Sequence, residues 1–327
     1  MRPAAKHGLA AAAGEFPNRV DDVSGESAGK WRVRVPASSA NLGPGFDALG
    51  LALDLHLTCV FQPAGELTIT IHGVDAGCIP ADSSNLIWQT ALAVASGQNR
   101  ELPFIELEIH NEIPLGKGLG SSAAALTAGV IIANQLLDLQ WTRHRILDEA
   151  AKIEGHPDNV AACVLGAIVA SSMGADGATH AVRVDLPASY EVAVVVPDFA
   201  LPTSAARSVL PESYCREDVV FNVQRSALLI AALFTGSTDS FSAALEDRLH
   251  QPYRAELIPG FSEMLRLRHP GLLGCSLSGA GPSVLVFFKR GQEEITRLFE
   301  DIFRRHGHEA TSYFTEIQRD GFVLEKV

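Results

Sequence analysis

Apolar and polar residues alternate over 51–61 and 66–71, the two-residue period of half-buried strands. Residues 31–35 and 104–110 read as strands as well. Between the strands the period lengthens. Asp82 or Ser83 caps a predicted helix that runs to about Ser96. Ala124, Leu126, Val130, Ile131 and Leu137 recur at helical spacing, and Thr142 caps a second helix that ends near Ile153. Ser, Asn, Gly and Pro make 37–45 a loop, 155–158 is another, and an apolar stretch then continues to Ser172.

From residue 191 the order changes. A strand at 191–196 is followed by helical segments near 205–209, 218–234, 238–250 and 261–268. Strands at 272–277 and 284–288 pair across 278–283, a helix covers 293–305 and a last strand 311–317. Without its insertions this is β-α-β-β-α-β, the ferredoxin-like order. The fold class is therefore α+β with two domains, divided in the loop-rich stretch 173–188. The expected units are an extension at 1–30, an N-terminal domain at 31–180 and a C-terminal domain at 181–327, with a cleft between the domains.

Composition narrows the function. The chain has 327 residues, 47 % of them apolar, enough for two full cores. Its formal charge of −12 argues against nucleic acid, whose phosphates demand a basic face. An anionic small molecule is still admissible, because local loops and a metal can reverse the local field. Five scattered cysteines without a Cys-x-x-Cys read as buried thiols in a reducing compartment, with no disulfide scaffold or zinc site. No apolar run reaches the roughly 18 residues of a membrane span, so no membrane partner is expected. Arg2 and Lys6 precede the apolar piece 9–13, but that piece is short and Ala-based, and 1–30 reads as a disordered extension instead of a secretory signal.

The densest chemistry lies at 114–128, Pro-Leu-Gly-Lys-Gly-Leu-Gly-Ser-Ser-Ala-Ala-Ala-Leu-Thr-Ala. Gly116, Gly118 and Gly120 alternate ahead of Ser121 and Ser122 at a helix mouth. Glycine tolerates positive φ and lets backbone N–H groups approach a ligand, and a helix start adds free N–H groups and a positive dipole end. Together they make a polyphosphate cradle. The bland alternative is a glycine turn capping a buried helix. Neither a Walker loop nor a Rossmann turn matches: no Gly-x-x-x-x-Gly-Lys-Ser/Thr occurs, and the third glycine comes one residue early for Gly-x-Gly-x-x-Gly.

Three further polar clusters accompany it. In 36–47 a strand enters a tight loop with Asn41 and Asp47, which either meet a ligand or bond local backbone. Glu154-Gly155-His156-Pro157-Asp158-Asn159 sets acids, an imidazole and an amide in one loop. Glu154 suits Mg²⁺, a hard cation that takes one or two carboxylates beside substrate phosphates, or it simply ends a helix. His156 reads as a structural histidine shaping that loop. Ser276–Ser283 is a second glycine-rich turn, a plain hairpin or a close approach of Gly279 and Gly281 to a ligand.

In this order, segments 36–50, 114–125, 155–162 and 277–282 resemble the signatures of the GHMP small-molecule kinase superfamily, and the resemblance covers about 31–327. The Pro-Ala-Ser-Ser-Ala-Asn-Leu-Gly-Pro-Gly-Phe-Asp and Gly-His-Pro-Asp-Asn-Val-Ala runs are similar to the branch that phosphorylates L-homoserine. The resemblance implies an N-terminal ribosomal-protein-like β/α domain and a ferredoxin-like C-terminal domain. It implies transfer of the γ-phosphoryl of ATP to the side-chain hydroxyl of L-homoserine, giving O-phospho-L-homoserine, in threonine biosynthesis, by a cytoplasmic homodimer.

It also distributes roles. ATP would meet Pro114, Leu115, Gly116, Lys117, Gly118, Leu119, Gly120, Ser121, Ser122, Ala123 and Ala124, with Asn85 a weaker match on the adenine side. Glu154 and Ser122, or Ser121 in its place, would hold Mg²⁺. Asn41, Asp47, Asn159, Thr203, Arg207, Arg254 and Gly279 would bind substrate, with Arg207 and Arg254 on its carboxylate and Asp47 near its ammonium. Relatives place an aspartate base where this branch has Asn159, so Asn159 would orient the hydroxyl, and Asp158 is the alternative base. Lys117 lies on phosphate or in solvent. Two departures, Ala162 for a frequent Pro and Ala167 for a frequent Gly, bear on packing. The competing readings are another GHMP kinase, acting on mevalonate or a sugar, and a catalytically silent sensor. A serine hydrolase lacks its Gly-x-Ser-x-Gly elbow.

Overall fold

The computed structural model describes residues 29–184 and 190–327. The extension expected over 1–30 lies outside them but for its last two residues, as does part of the boundary segment 173–188.

Two sheets make the frame. In the first, β1 (Trp31–Ala40) pairs antiparallel with the long β2 (Leu49–Pro63). β3 (Thr68–Gly73) runs parallel to β4 (Ile105–Asn111), and β4 pairs with the distal half of β2. Helices α1 (Leu86–Gly97), α2 (Ser121–Leu136), α3 (Arg143–Glu154) and α4 (Asp158–Leu165) pack on one another, and α2 and α4 pack on β1 and β2. β5 (Ile168–Met173) joins the start of β2, and β6 (Thr179–Val184) pairs with β5, so one strand of the first sheet spans position 180.

The second sheet begins with β7 (Tyr190–Pro197). A helical stretch follows: α5 (Thr203–Ser208), α6 (Arg216–Thr235), α7 (Phe241–Ala244), α8 (Gln251–Arg254) and α9 (Phe261–Met264). Then come β8 (Leu272–Leu277), β9 (Val284–Lys289), α10 (Ile295–Arg305) and β10 (Ala310–Thr315). The strand order β10-β7-β9-β8 is the ferredoxin-like arrangement. β7 is buried on both faces. Val192 and Val194 turn toward the core shared with the first sheet, while Ala193 and Val195 turn toward Phe299, Ile302 and Phe303 of α10. The chain then crosses back, and β11 (Val323–Lys326) pairs with β1. The fold is α+β, as the element order implies.

Several expectations need correction. The helix α1 is capped by Asn85, not by Asp82 or Ser83, and the helix predicted over 261–268 is only Phe261–Met264. The loop predicted over 37–45 starts later, because β1 continues to Ala40 with a register shift after Pro36, which lacks a ladder N–H. Its small polar residues, poor strand formers on propensity, are buried there between two layers. The helix predicted over 238–250 shrinks to Phe241–Ala244. The buried Asp247 carboxylate accepts from the N–H groups of Leu249, His250 and Gln251 and turns the chain there. Of the five cysteines, Cys59, Cys163 and Cys275 are buried, with thiols pushed up to about 12 by burial, whereas Cys78 and Cys215 are exposed. At the departure from the family pattern, Ala167 takes φ 55°, a region that glycine enters without a Cβ clash. Among the described residues, α6 alone has the length and apolar composition of a membrane span. It carries Arg225 over Phe221 and is tied into the fold by buried Asn222, Leu229, Ala232 and Leu233.

One strand glycine sets the position of α4. A Cβ on Gly50 would come within 2.1 Å of the Asp158 carbonyl oxygen and 3.1 Å of Ala162 Cβ. Gly50→Ala is expected to cost on the order of 1–3 kcal/mol, as overpacking does, and to lower turnover by shifting the first turn of α4. Urea denaturation beside steady-state kinetics checks this; unchanged stability and rate would count against it.

Candidate active site

Four loops meet in one cleft between the sheets. The first leaves β1 at Ala40. Asn41, Leu42, Gly43 and Asp47 all take positive φ (71°, 46°, 81° and 53°). For Leu42 this is strained backbone, which persists only where the surroundings over-determine it. The surroundings do so. Asn41 Nδ2 donates to the Gly279 carbonyl (2.8 Å), and Asn41 Oδ1 accepts from Asp47 N–H (2.9 Å). Asn222 and Ser226 of α6 both donate to the Pro44 carbonyl. The result is an Asp47 carboxylate held toward the cleft, where Arg207 of α5 meets it with a two-pronged pair (2.8 and 3.2 Å).

The glycine loop and the helix mouth form the second wall. Gly116, Gly118 and Gly120 all have positive φ. The sequence reading gave them ligand approach; the structure gives two of them protein neighbours. A Cβ on Gly118 would lie 2.2 Å from the Ser278 carbonyl oxygen, and one on Gly120 would lie 2.1 Å from Ser38 Oγ. The Ser278 hydroxyl donates to the Gly118 carbonyl (2.7 Å) and lies 2.9 Å from Ser39 Oγ. The loop is thus clamped between β1 and the turn after β8. A Cβ on Gly116 would meet only Ala200 Cβ, at 3.2 Å, and the Gly116 carbonyl accepts from Leu201 N–H. At the start of α2 no side chain caps the helix, so the N–H groups of its first turn remain aimed at the cleft beside Ser121, Ser122 and Ala123.

The third wall joins α3 to α4. Gly155 ends α3 with φ 86° and returns the chain past His156 to Asp158 and Asn159. Asp158 Oδ1 accepts from Asn159 N–H (2.7 Å) and lies 2.7 Å from His156 Nδ1. That bond raises the His156 pKa above its ordinary value. The Ser38 hydroxyl donates to Asn159 Oδ1 (2.9 Å), which turns Nδ2 away from Ser38. Burial raises the Glu154 carboxyl above its usual range, opposed by His156, Arg207 and the nearby Ser122 hydroxyl. Asp47, His156 and Asp158 each offer a donor atom within 4.8 Å of the others. Asp47 is paired with Arg207 and Asp158 with His156, so the carboxylate left to face the helix N-terminus is Glu154, a hard oxygen donor that fits a divalent cation with a polyphosphate.

The fourth contributor is Arg254 of α8. Its side chain is buried, and burial pushes its pKa down to about 10, still charged at neutral pH. It donates to the carbonyls of Ala206 and Gly279.

Of the residues singled out in the sequence, Asn41, Asp47, Gly116, Gly118, Leu119, Gly120, Ser121, Ser122, Ala123, Glu154, Asp158, Asn159, Thr203, Arg207, Arg254 and Gly279 line this cleft. Asn85, Pro114, Leu115, Lys117 and Ala124 are not among its lining residues. Asn85 caps α1 through Ile87 N–H and donates to the Pro80 carbonyl, which occupies both ends of its amide. Lys117 Nζ donates to the Pro197 carbonyl (2.8 Å) instead of standing in solvent. Leu115 N–H bonds Asp75, and Pro114 and Ala124 are buried. Sequence reading missed Leu201, Pro202 and Ala280 as walls and gave His156 no place in the cleft, although it lines it.

Comparison with known proteins identifies the family. Residues 85–167 match the GHMP kinases N terminal domain, and 229–303 match the GHMP kinases C terminal domain. A homoserine kinase of Solibacter usitatus is 64 % identical, over 90 % of this chain and 97 % of its own length. A homoserine kinase of Deinococcus radiodurans is 43 % identical, over 90 % and 97 %. The crystal structure of homoserine kinase from Cytophaga hutchinsonii superposes with a TM-score of 0.80 at 28 % identity, covering 92 % of this chain and 99 % of that one. With its ferredoxin-like second sheet, clamped glycine loop and end-to-end similarity to these enzymes, the chain belongs to the homoserine kinase family of GHMP kinases.

Proposed function

We propose that the chain transfers the γ-phosphoryl group of ATP to the side-chain hydroxyl of L-homoserine by direct in-line attack. The observation that carries this reading is one cleft that holds an uncapped helix start and, facing it, a carboxylate paired with an arginine. The first end suits phosphates and the second suits an amino-acid zwitterion. High identity to homoserine kinases over nearly their whole length favours this substrate over mevalonate, sugars or a silent sensor.

In this reading the first-turn N–H groups of α2 and the loop Gly116–Gly120 receive the ATP phosphates. Asp47 takes the substrate ammonium, and Arg207 and Arg254 its carboxylate. Phosphoryl transfer depends on positioning and charge neutralisation more than on covalent chemistry by the protein. Glu154 and a serine hydroxyl would hold Mg²⁺, which when bound would supply neutralisation of phosphate charge. Ser122, whose hydroxyl lies close enough to Glu154 to oppose the rise in its pKa, is favoured over Ser121 for that place. Asn159, its Oδ1 occupied by Ser38 and its Nδ2 only weakly bonded to Asp158 Oδ1 (3.5 Å), has an Nδ2 N–H left to orient the substrate oxygen. Asp158 Oδ1 is engaged by His156 and Asn159 N–H, which favours a supporting role over that of general base. Near-normal turnover by Asp158→Asn is the expected outcome, and a collapse in kcat would reinstate it as base. The resemblance also implies a cytoplasmic homodimer, which sedimentation of the purified chain tests.

The decisive assay couples ADP release to L-homoserine, with mevalonate, galactose, D-homoserine and L-serine as controls. L-Homoserine is expected to exceed each control by at least about tenfold in kcat/KM, since every control loses or misplaces a recognised group. Equal rates with mevalonate would sink the reading.

A further inference from the structure

Behind the Asp47 loop lies a buried polar cluster to which the phosphoryl transfer described above assigns no part. Its centre is His250, a fully buried residue between α8 and the loop that follows β1. The ring stacks on Phe46, with centroids 5.1 Å apart and planes at 19°. Nε2 lies 2.7 Å from the Gly43 carbonyl oxygen, and Nδ1 lies 3.1 Å from Arg254 Nη1.

These partners define the ring's tautomer. An arginine N–H can only donate, so Nδ1 must accept and carries no proton. The proton therefore sits on Nε2 and is donated to Gly43. Burial favours the same neutral ring. The nearest carboxylate, Asp247, lies 3.6 Å from Nε2, beyond hydrogen-bond reach. Its own oxygens are taken by Asn222 Nδ2 and by the N–H groups of Leu249, His250 and Gln251. His250 is thus a fixed connector: one nitrogen grips Arg254 and the other grips the backbone four residues before Asp47.

We propose that His250 is a positioning residue for the amino-acid end of the substrate, joining Arg254 to the loop that carries Asp47. The Ala206 carbonyl, the Gly279 carbonyl and His250 Nδ1 together orient the Arg254 guanidinium. Among the described residues, Nη2 of Arg254 has no hydrogen-bond partner, and the side chain lines the cleft. Arg207 and Arg254 also lie over the Phe46 ring on which His250 stacks, at 5.8 and 5.3 Å from its centroid. This inference rests on the homoserine reading above, because it needs a carboxylate at Arg254 and an ammonium at Asp47.

The test separates the two nitrogens. His250→Asn keeps an acceptor where Nδ1 stands and loses the donor to Gly43. His250→Gln keeps a donor near Nε2 and loses the acceptor for Arg254. His250→Ala loses both. KM for L-homoserine, KM for ATP and kcat are measured for each variant whose thermal melt shows it folded. His250→Gln is expected to raise KM for L-homoserine about tenfold, the loss of one charge-assisted hydrogen bond, with His250→Asn nearer wild type. KM for ATP and kcat should stay within about twofold, because the helix mouth of α2 is untouched. The proposal is overturned if folded Asn and Gln variants both keep the wild-type KM for L-homoserine. It is equally overturned if KM for ATP and kcat shift as much as KM for L-homoserine, which marks a general structural role. A wild-type chain that fails to turn over L-homoserine overturns this inference together with the reading beneath it, whereas a failure confined to the variants overturns this inference alone.

Discussion

Glu154→Gln is expected to lower kcat by roughly 10²–10³, the scale of losing one electrostatic contact made to developing charge. The change is nearly isosteric. It keeps a carbonyl oxygen beside the Ser122 hydroxyl, and it removes only the negative charge. That charge is costly to the resting protein, since burial already raises the carboxyl's pKa. A neutral amide there should leave the fold as stable or more so, because a buried charge without an equal partner destabilises. The expected signature is therefore a steep fall in kcat with an unchanged or higher Tm and a raised requirement for Mg²⁺, while KM for L-homoserine holds. Steady-state kinetics across a Mg²⁺ series, with a thermal melt, reads all of these. A kcat within about threefold of wild type would remove Glu154 from the transfer machinery.

The same contrast between local pattern and tertiary use explains what the sequence disclosed. Regular alternation marked β3 and the distal half of β2, where one face is buried, whereas α2 was legible from its apolar spacing and its glycine-serine start although it is buried nearly all round. Thr142 was legible as a cap since its side chain bonds Arg145 N–H, a contact within one turn. The element order after residue 190 led to the ferredoxin-like arrangement for the same reason. What stayed hidden depends on distant partners. Ser38 and Ser39 look like loop residues until Asn159 and Ser278, each more than a hundred positions away, are seen to hold them inside β1. Gly118 and Gly120 were legible as special, but the close approach they permit includes the Ser278 carbonyl and the Ser38 hydroxyl. β11 is too short and too polar to announce itself, and it exists because β1 offers it an edge. In the site, the motifs flagged the carboxylates and arginines individually. The pairing of Asp47 with Arg207 across 160 positions was not readable, nor was His250, whose partners lie on a loop, a helix and a ring far apart in the chain.

That pairing makes Asp47→Asn the most informative substitution at the substrate end. The two side chains are 39 % and 35 % exposed, so their mutual attraction adds at most about 1 kcal/mol to the fold, and the variant should fold normally. Its effect on substrate should be far larger. A carboxylate facing an ammonium in the cleft makes charge-assisted hydrogen bonds, and removing one partner leaves the other charge poorly compensated. Kcat/KM for L-homoserine is expected to fall by about 10²–10³. The loss should be specific to the amino group. Wild type should prefer L-homoserine strongly over γ-hydroxybutyrate, the same alcohol without its nitrogen, and Asp47→Asn should lose most of that preference. A rival account holds that Asp47 serves only to keep Arg207 in place. Under it, both substrates would lose the same factor, since each retains the carboxylate that Arg207 would bind. The double variant Asp47→Asn with Arg207→Ala separates the two accounts. If Asp47 meets the ammonium directly, the second change adds a further loss on both substrates; if Asp47 acts through Arg207 alone, it adds almost nothing.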